Sequence, residues 1–137
     1  MKSTLIDAGP LIALFSRNDT HHKRVLKFMK GYTGSLVSTW PVVTEACHLL
    51  DFDQRAQVNL LRWLERGGVQ MFDVGSNHFG GLIALFEKYG DLPVDLADAT
   101  LLVAAESLGI NNIISLDSDF NVYRIGKNKR LKNLLSA

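Results

Sequence analysis

The sequence predicts an α/β protein whose central parallel sheet is covered by helices on both faces. Two observations carry that prediction. Short apolar, partly β-branched runs at residues 4–6, 35–38 and 112–116 alternate with longer segments of helical periodicity, which is the pattern of repeated strand–helix units. The first and last of these runs lead into carboxylates, Asp7 and Asp117. A carboxylate that follows a strand stands at the carboxyl edge of the sheet, where open α/β folds build their sites.

Each element has its own local reason. Residues 4–6 (Thr-Leu-Ile) are short, apolar and partly β-branched, and read as a buried strand. Gly9-Pro10 opens a short helix through Phe15, with proline in the first turn, where its missing N–H costs little. After a polar loop at 17–20, His22, Val25, Leu26 and Met29 recur at helical spacing until Gly31 stops the helix. Residues 35–38 form the second strand. Thr39 or Trp40 then caps a helix that has Pro41 in its first turn and runs to about Leu50.

Residues 53–66 make an amphipathic helix with Val58, Leu61 and Leu64 near one face, ended by Gly67-Gly68. Residues 69–74 alternate weakly and read as a third strand. Ser76 or Asn77 caps the next helix, which carries Phe79, Leu82, Ile83 and Phe86 and ends at Gly90. Residues 95–108 form a helix closed by Gly109, residues 112–116 a fourth strand, and residues 120–125 a fifth strand at a sheet edge. Leu131, Leu134 and Leu135 would dock the basic tail at 127–132. With no repeat, low-complexity tract or linker, the expectation is one domain over residues 1–137.

Composition bounds the function without choosing it. The hydrophobic fraction of 47% and charged fraction of 21% are those of an ordinary globular protein. A net charge of +1 gives no global attraction to nucleic acid and no argument against it. The single cysteine, Cys47, excludes an intrachain disulfide, fits a reducing compartment, and reads as a small buried apolar residue. No apolar run is long enough to span a membrane, and the first residues lack the pattern of a signal peptide, so a cytoplasmic location is expected.

The chemistry is concentrated in acidic residues. The helix at 95–108 is apolar around most of its circumference, so Asp98, a turn inside it, is a buried carboxylate that needs a partner. Asp95, three residues earlier on the same face, serves equally as a helix cap. Asp7 could close a turn with Gly9-Pro10, Asp117 and Asp119 a turn of their own, and Glu45 alone would be an ordinary helix residue. Taken together, Asp7, Glu45, Asp98 and Asp117 come from four elements that a parallel α/β order brings to one end. Each close pair would repel by about 4 kcal/mol at an effective dielectric of about 20. A hard divalent cation resolves that repulsion.

The ordered segments Asp-Ala-Gly-Pro-Leu-Ile-Ala-Leu-Phe at 7–15, Thr-Glu-Ala at 44–46, Asp-Leu-Ala-Asp-Ala-Thr-Leu-Leu-Val-Ala-Ala at 95–105 and Ser-Leu-Asp-Ser-Asp-Phe at 115–120 resemble the motifs of PIN domains. Among these, VapC-like ribonuclease toxins of type II toxin–antitoxin pairs are the most similar. The resemblance implies a three-layer α/β/α sandwich with a central parallel sheet and Mg²⁺- or Mn²⁺-dependent cleavage of RNA, leaving a 5′-phosphate and a 3′-hydroxyl. It assigns catalysis and metal binding to Asp7, Glu45, Asp98 and Asp117, with Asp95 or Asp119 as a further ligand. It also implies a small antitoxin partner and a homodimer, for which Leu82, Ile83 and Phe86 are candidates. Two positions depart from the family pattern: Gly9 stands where a hydroxyl residue is common, and Ser115 where threonine is common.

Carboxylate oxygens suit Mg²⁺ and Mn²⁺, and one or two such ions would polarise a phosphodiester with no histidine base. In the basic tail, Lys129 and Arg130 are candidate RNA contacts. Trp40 and Phe120 adjoin motif residues and could stack bases, although core packing is the simpler assignment. Other chemistries lack their signatures. His48 beside Cys47 is not a zinc pattern, and there is no Gly-rich phosphate loop or nucleophile elbow. A phosphoacceptor domain would want paired acids after the first strand, where Asp7 stands alone. The remaining alternatives are an RNA-processing PIN-like nuclease without a toxin role and a catalytically silent nucleic-acid-binding module.

Overall fold

A computed structural model describes residues 2–91, 94–126 and 129–135. Its elements run β1 (Ser3–Ile6), α1 (Ala8–Phe15), α2 (His22–Gly31), β2 (Ser35–Ser38), α3 (Trp40–Leu49), α4 (Gln54–Glu65), β3 (Gln70–Met71), α5 (Phe79–Lys88), α6 (Leu96–Leu108), β4 (Asn112–Ile114), β5 (Arg124–Ile125), β6 (Lys129–Arg130) and β7 (Lys132–Asn133). Short 3₁₀ turns at Ser76–His78 and Ser118–Asn121 precede α5 and β5.

Five strands form one sheet in the order β3-β2-β1-β4-β7, every pairing parallel. Leu5 pairs with Val37 on one side and Ile113 on the other. Adjacent residues of a strand point to opposite faces. Leu5 and Ile6 in β1, and Ile113 and Ile114 in β4, are all fully buried, so helices cover both faces of the sheet centre. This is the α/β/α sandwich expected from the sequence. The chain steps outward from β1 to β2 and β3, then returns to β4 on the far side of β1. The order therefore reverses between β1 and β4, and a crevice opens at their carboxyl ends.

The helix at the centre of the molecule is α6. Asp95 caps its start, Gly109 ends it in the left-handed conformation (φ 67°), and nine consecutive residues, Ala97 to Ala105, are buried. A left-handed C-terminal residue favours glycine because it has no Cβ to clash. Two hydroxyls tie this helix to the start of α3: Thr39 and Thr100 lie 2.7 Å apart, both buried, and Thr100 also donates to the Ala97 carbonyl.

The late strands differ from the sequence expectation. The third strand, expected over 69–74, is the two-residue edge strand β3. The fourth ends at Ile114 instead of 116, because the Ser115 hydroxyl accepts the Asp117 N–H at 2.9 Å and turns the chain. Residues 120–125 do not form the sheet's edge strand. They begin within a 3₁₀ turn, and Arg124–Ile125 pairs with Lys129–Arg130 in a separate antiparallel hairpin. Phe120 and Tyr123 leave strand geometry to pack as a buried edge-on pair with centroids 5.2 Å apart. The fifth strand of the main sheet is instead β7, whose flanking Leu131 and Leu135 are buried, with Leu134 packed against the core. Lys127 of the basic tail lies outside the described residues. Cys47 is half-buried and packs against the core, whereas Trp40 is 57% exposed and is not the core residue expected.

Leu101→Ala should cost about 2–5 kcal/mol, since a fully buried leucine leaves a cavity. Leu108→Ala on the same helix, where the side chain is half exposed, should cost well under half as much. Urea unfolding followed by circular dichroism checks both, and equal losses would contradict the packing of α6.

Candidate active site

Asp7 is placed by the end of β1. Its N–H donates to the Ile114 carbonyl at 3.1 Å, extending the β1–β4 pairing by one bond. Its carboxylate accepts the Ala8 N–H at 2.8 Å, capping α1, and the Ser115 hydroxyl at 3.0 Å. Burial nevertheless pushes its pKa up to about 6, with Glu45 and Asp117 adding to the rise and the two donors opposing it.

Asp98 lies in the first turn of α6 and is 6% exposed. Its carboxylate accepts the Tyr123 hydroxyl at 3.2 Å. Burial first, then Asp7, Asp95 and Asp117, raise its pKa to about 8 against that bond. Tyr123 in turn holds its own proton more tightly than usual, through burial and the nearby Asp98 charge. The Asp95 carboxylate accepts the Asp98 N–H at 2.7 Å and fixes the start of the helix. Glu45, on α3, is half-buried, and burial together with Asp95 and Asp117 raises its pKa. Asp117 is exposed at the rim, where its carboxylate accepts the Asp119 N–H at 2.9 Å.

Asp7, Glu45, Asp95, Asp98 and Asp117 line one pocket of about 480 Å³ at the crevice between β1 and β4. No lysine, arginine or histidine is among its lining residues. Gly9 also lines it, and a Cβ there would meet the Leu116 Cβ at 3.4 Å. Across the crevice, the Ser115 hydroxyl donates to the Asp7 carboxylate.

Among the described residues no three acidic, histidine or cysteine side chains close on one point as a protein-only cage. An all-oxygen donor set in an open pocket suits a hard ion that keeps several waters, as Mg²⁺ does. The donor chemistry and the uncompensated negative charge both fit a divalent cation.

Three candidates lie elsewhere. Asp119 is not on the pocket wall and supports Asp117 through its backbone. Lys129 sits beside Glu106, Gly109 and Asn111, at the opposite end of α6, and Arg130 pairs with Arg124 in the hairpin. The thirteen residues of α6 span about 20 Å at 1.5 Å per residue. The structure therefore does not bring these two cations to the acidic pocket.

Sequence reasoning missed two supports. Tyr123 gives no local signal beyond the rule that a buried tyrosine hydroxyl seeks a partner. Asn133 of β7 brackets the Ser115 backbone, donating to its carbonyl at 2.8 Å and accepting its N–H at 3.2 Å.

A parallel sheet with carboxylates gathered where its order reverses defines the class of this protein. The chain belongs to the PIN domain family, whose model matches residues 4–126. No curated protein matches the sequence. Among solved structures it is similar to VapC20 of Mycobacterium tuberculosis, described as a sarcin-ricin loop cleaving toxin. That likeness has a TM-score of 0.80 at 18% identity and covers 87% of this chain and 93% of the other. It is also similar to VapBC2 of Rickettsia felis bound to a DNA fragment from their promoter, with a TM-score of 0.61 at 12% identity, covering 96% and 98%. At these identities the likeness is one of fold.

The raised pKa values fix a pH dependence for the metal-free protein. Asp98 keeps its proton to about pH 8 and Asp7 to about pH 6 when folded, against an ordinary value of 3.8 for each. Between those limits the native state binds more protons than the unfolded state, so stability falls as pH rises. In EDTA, melting temperature should decline from about pH 4 to about pH 8. Asp98→Asn should flatten the upper part of that decline, and parallel curves for the two proteins would refute it.

Proposed function

We propose that this chain is a divalent-metal-dependent endoribonuclease that hydrolyses RNA phosphodiester bonds, acting in the cytoplasm as a VapC-like toxin held by a small antitoxin. The observation that carries the reading is the convergence of five carboxylates, unmatched by any cation on the pocket wall, in a PIN-family chain. The cleaving activity attributed to VapC20 and the complexed state of VapBC2 support it.

Asp7, Glu45, Asp98 and Asp117 would hold Mg²⁺ or Mn²⁺, with Asp95 contributing the oxygen not engaged by the Asp98 N–H. When bound, the ion supplies Lewis acidity toward the phosphodiester and lowers the pKa of water. The chain's own residues supply orientation. The Ala8 N–H and the Ser115 hydroxyl fix both oxygens of Asp7, and the Tyr123 hydroxyl fixes one oxygen of Asp98. The raised pKa values mean that this charge is costly to bury without a counter-ion, which favours cation uptake as pH rises.

With a net charge of +1, recognition must be local. Flexible single-stranded or looped RNA can bend a phosphodiester into a recessed acidic pocket, whereas a stacked duplex must first be opened. A silent binding module would have no use for carboxylates buried as deeply as those of Asp7 and Asp98. An RNA-processing nuclease without a toxin role would use the same site, and the growth assay below separates the two.

EDTA should abolish cleavage of single-stranded RNA and Mn²⁺ should restore it. Asp98→Asn should lower activity by more than the roughly 10–100-fold typical of residues that only support a metal ligand. It should also blunt the rise in melting temperature that added metal gives the wild type. Expression without a partner should arrest growth, and Asp7→Asn should relieve the arrest. Cleavage that survives EDTA would end the nuclease reading, and normal growth only the toxin role.

A homodimer is part of the same proposal. Leu82 is absorbed into the core, while Ile83 and Phe86 remain 57% and 41% exposed on α5, beside an exposed Phe79. Ile83→Lys should convert a dimer to a monomer in light scattering at micromolar concentration, and a wild-type monomer would remove this element.

A further inference from the structure

A second groove, of about 600 Å³, adjoins the acidic pocket and shares Glu45 and Asp95 with it. Its remaining wall is formed chiefly by Trp40, Pro41 and His48 of α3 and Leu96 of α6. Trp40 and Leu96 are 57% and 52% exposed. Single exposed apolar residues are common, but here an indole and a leucine from two helices face one groove beside a charged pocket. Trp40 joins none of the aromatic ring pairs among the described residues. Its backbone is held on both sides, because Pro41 fixes the first turn of α3 and the preceding Thr39 is buried and bonded to Thr100. The indole is therefore carried on a fixed stretch of backbone and stands open to solvent.

We propose that this groove is a nucleobase subsite in which Trp40 stacks the base next to the phosphodiester presented to the acidic pocket. The proposal rests on the ribonuclease reading above. The occupant has to be flat and uncharged, because the wall is largely apolar apart from Thr44 and His48, and the two shared carboxylates would repel a phosphate. It has to be tethered to a phosphate, because the groove runs into the pocket where one is expected. A nucleobase of single-stranded RNA meets both conditions, and every base has a π-face to offer an aromatic ring. Stacking of this kind is tolerant of sequence, so Trp40 sets where the strand lies and not which base it carries. His48, two turns along the same face of α3, stands at the groove wall where the edge of a base would lie.

The test uses the full chain with Trp63→Phe, which leaves Trp40 as the sole indole. Indole emission is followed while a single-stranded, phosphorothioate-linked oligoribonucleotide is added in Mg²⁺, and again with oligonucleotides carrying one abasic site at successive positions. Saturable quenching is expected, lost when the abasic site falls at one particular position. In cleavage assays Trp40→Ala should raise KM on the order of ten-fold, the size of one lost base stack, with kcat changed far less. Trp40→Phe should recover most of the loss. No quenching together with an unchanged KM in Trp40→Ala would overturn the subsite and leave the nuclease standing. Quenching by RNA that the wild type never cleaves would support the subsite and remove the nuclease reading. A Trp40→Ala variant that passes from dimer to monomer in light scattering would assign the groove to a second copy of the chain and overturn the proposal.

Discussion

A carboxylate can stay buried at a strand end only if fixed donors meet it, and the arrangement around Asp7 follows from that requirement. Three of its hydrogen bonds reach β4, the first residue of α1 and the turn after β4. Each donor or acceptor lies on a different segment, so the carboxylate is held by the relation between segments. The reversal of strand order between β1 and β4 creates the space into which Asp7 projects. Once it is there, α6 and α3 bring Asp98 and Glu45 to the same space, and the Thr39–Thr100 hydroxyl pair locks those two helices together.

The price of this arrangement falls on stability. Asp98 is enclosed on a largely apolar helix and faces three other carboxylates, with one tyrosine hydroxyl to answer it. A neutral side chain of the same shape would suit the apo fold better. Conflicts of this kind between folding and local electrostatics are more frequent at functional sites than elsewhere in a fold.

Much of this was legible in the sequence, for reasons that differ by residue. Asp98 interrupts a helix that is apolar around most of its circumference, so periodicity marks it as unusual, whereas Asp7 and Asp117 end apolar runs where a turn would account for either alone. Glu45 has no such mark and became visible only as one of a set. Tyr123 was not legible because its partner lies 25 residues away and the two meet only through packing. Residues 132–133 carry no strand signature. Lys132–Asn133 is a strand because Asn111 and Ile113 offer carbonyls to Lys132 and Leu134 and because buried leucines flank it. Trp40 looked like core by composition, yet it occupies the first turn of α3 on the side away from the sheet. Lys129 and Arg130 looked suitable by charge, but charge says nothing of the helix length that separates them from the pocket.

The bracket that Asn133 places around Ser115 has a consequence in time. Ser115 is bonded to Asp7 across 108 residues of sequence, and Asn133 follows it by another 18. A ribosome delivers Asp7 first and Asn133 long afterwards. Until then the turn after β4 lacks the side chain that fastens it, and Asp7 lacks a firmly held hydroxyl. The site is a long-range closure, completed only once Asn133 is in place and among the contacts of greatest loop-closure cost. A nascent chain therefore carries its acidic residues before it carries the side chain that fastens their geometry.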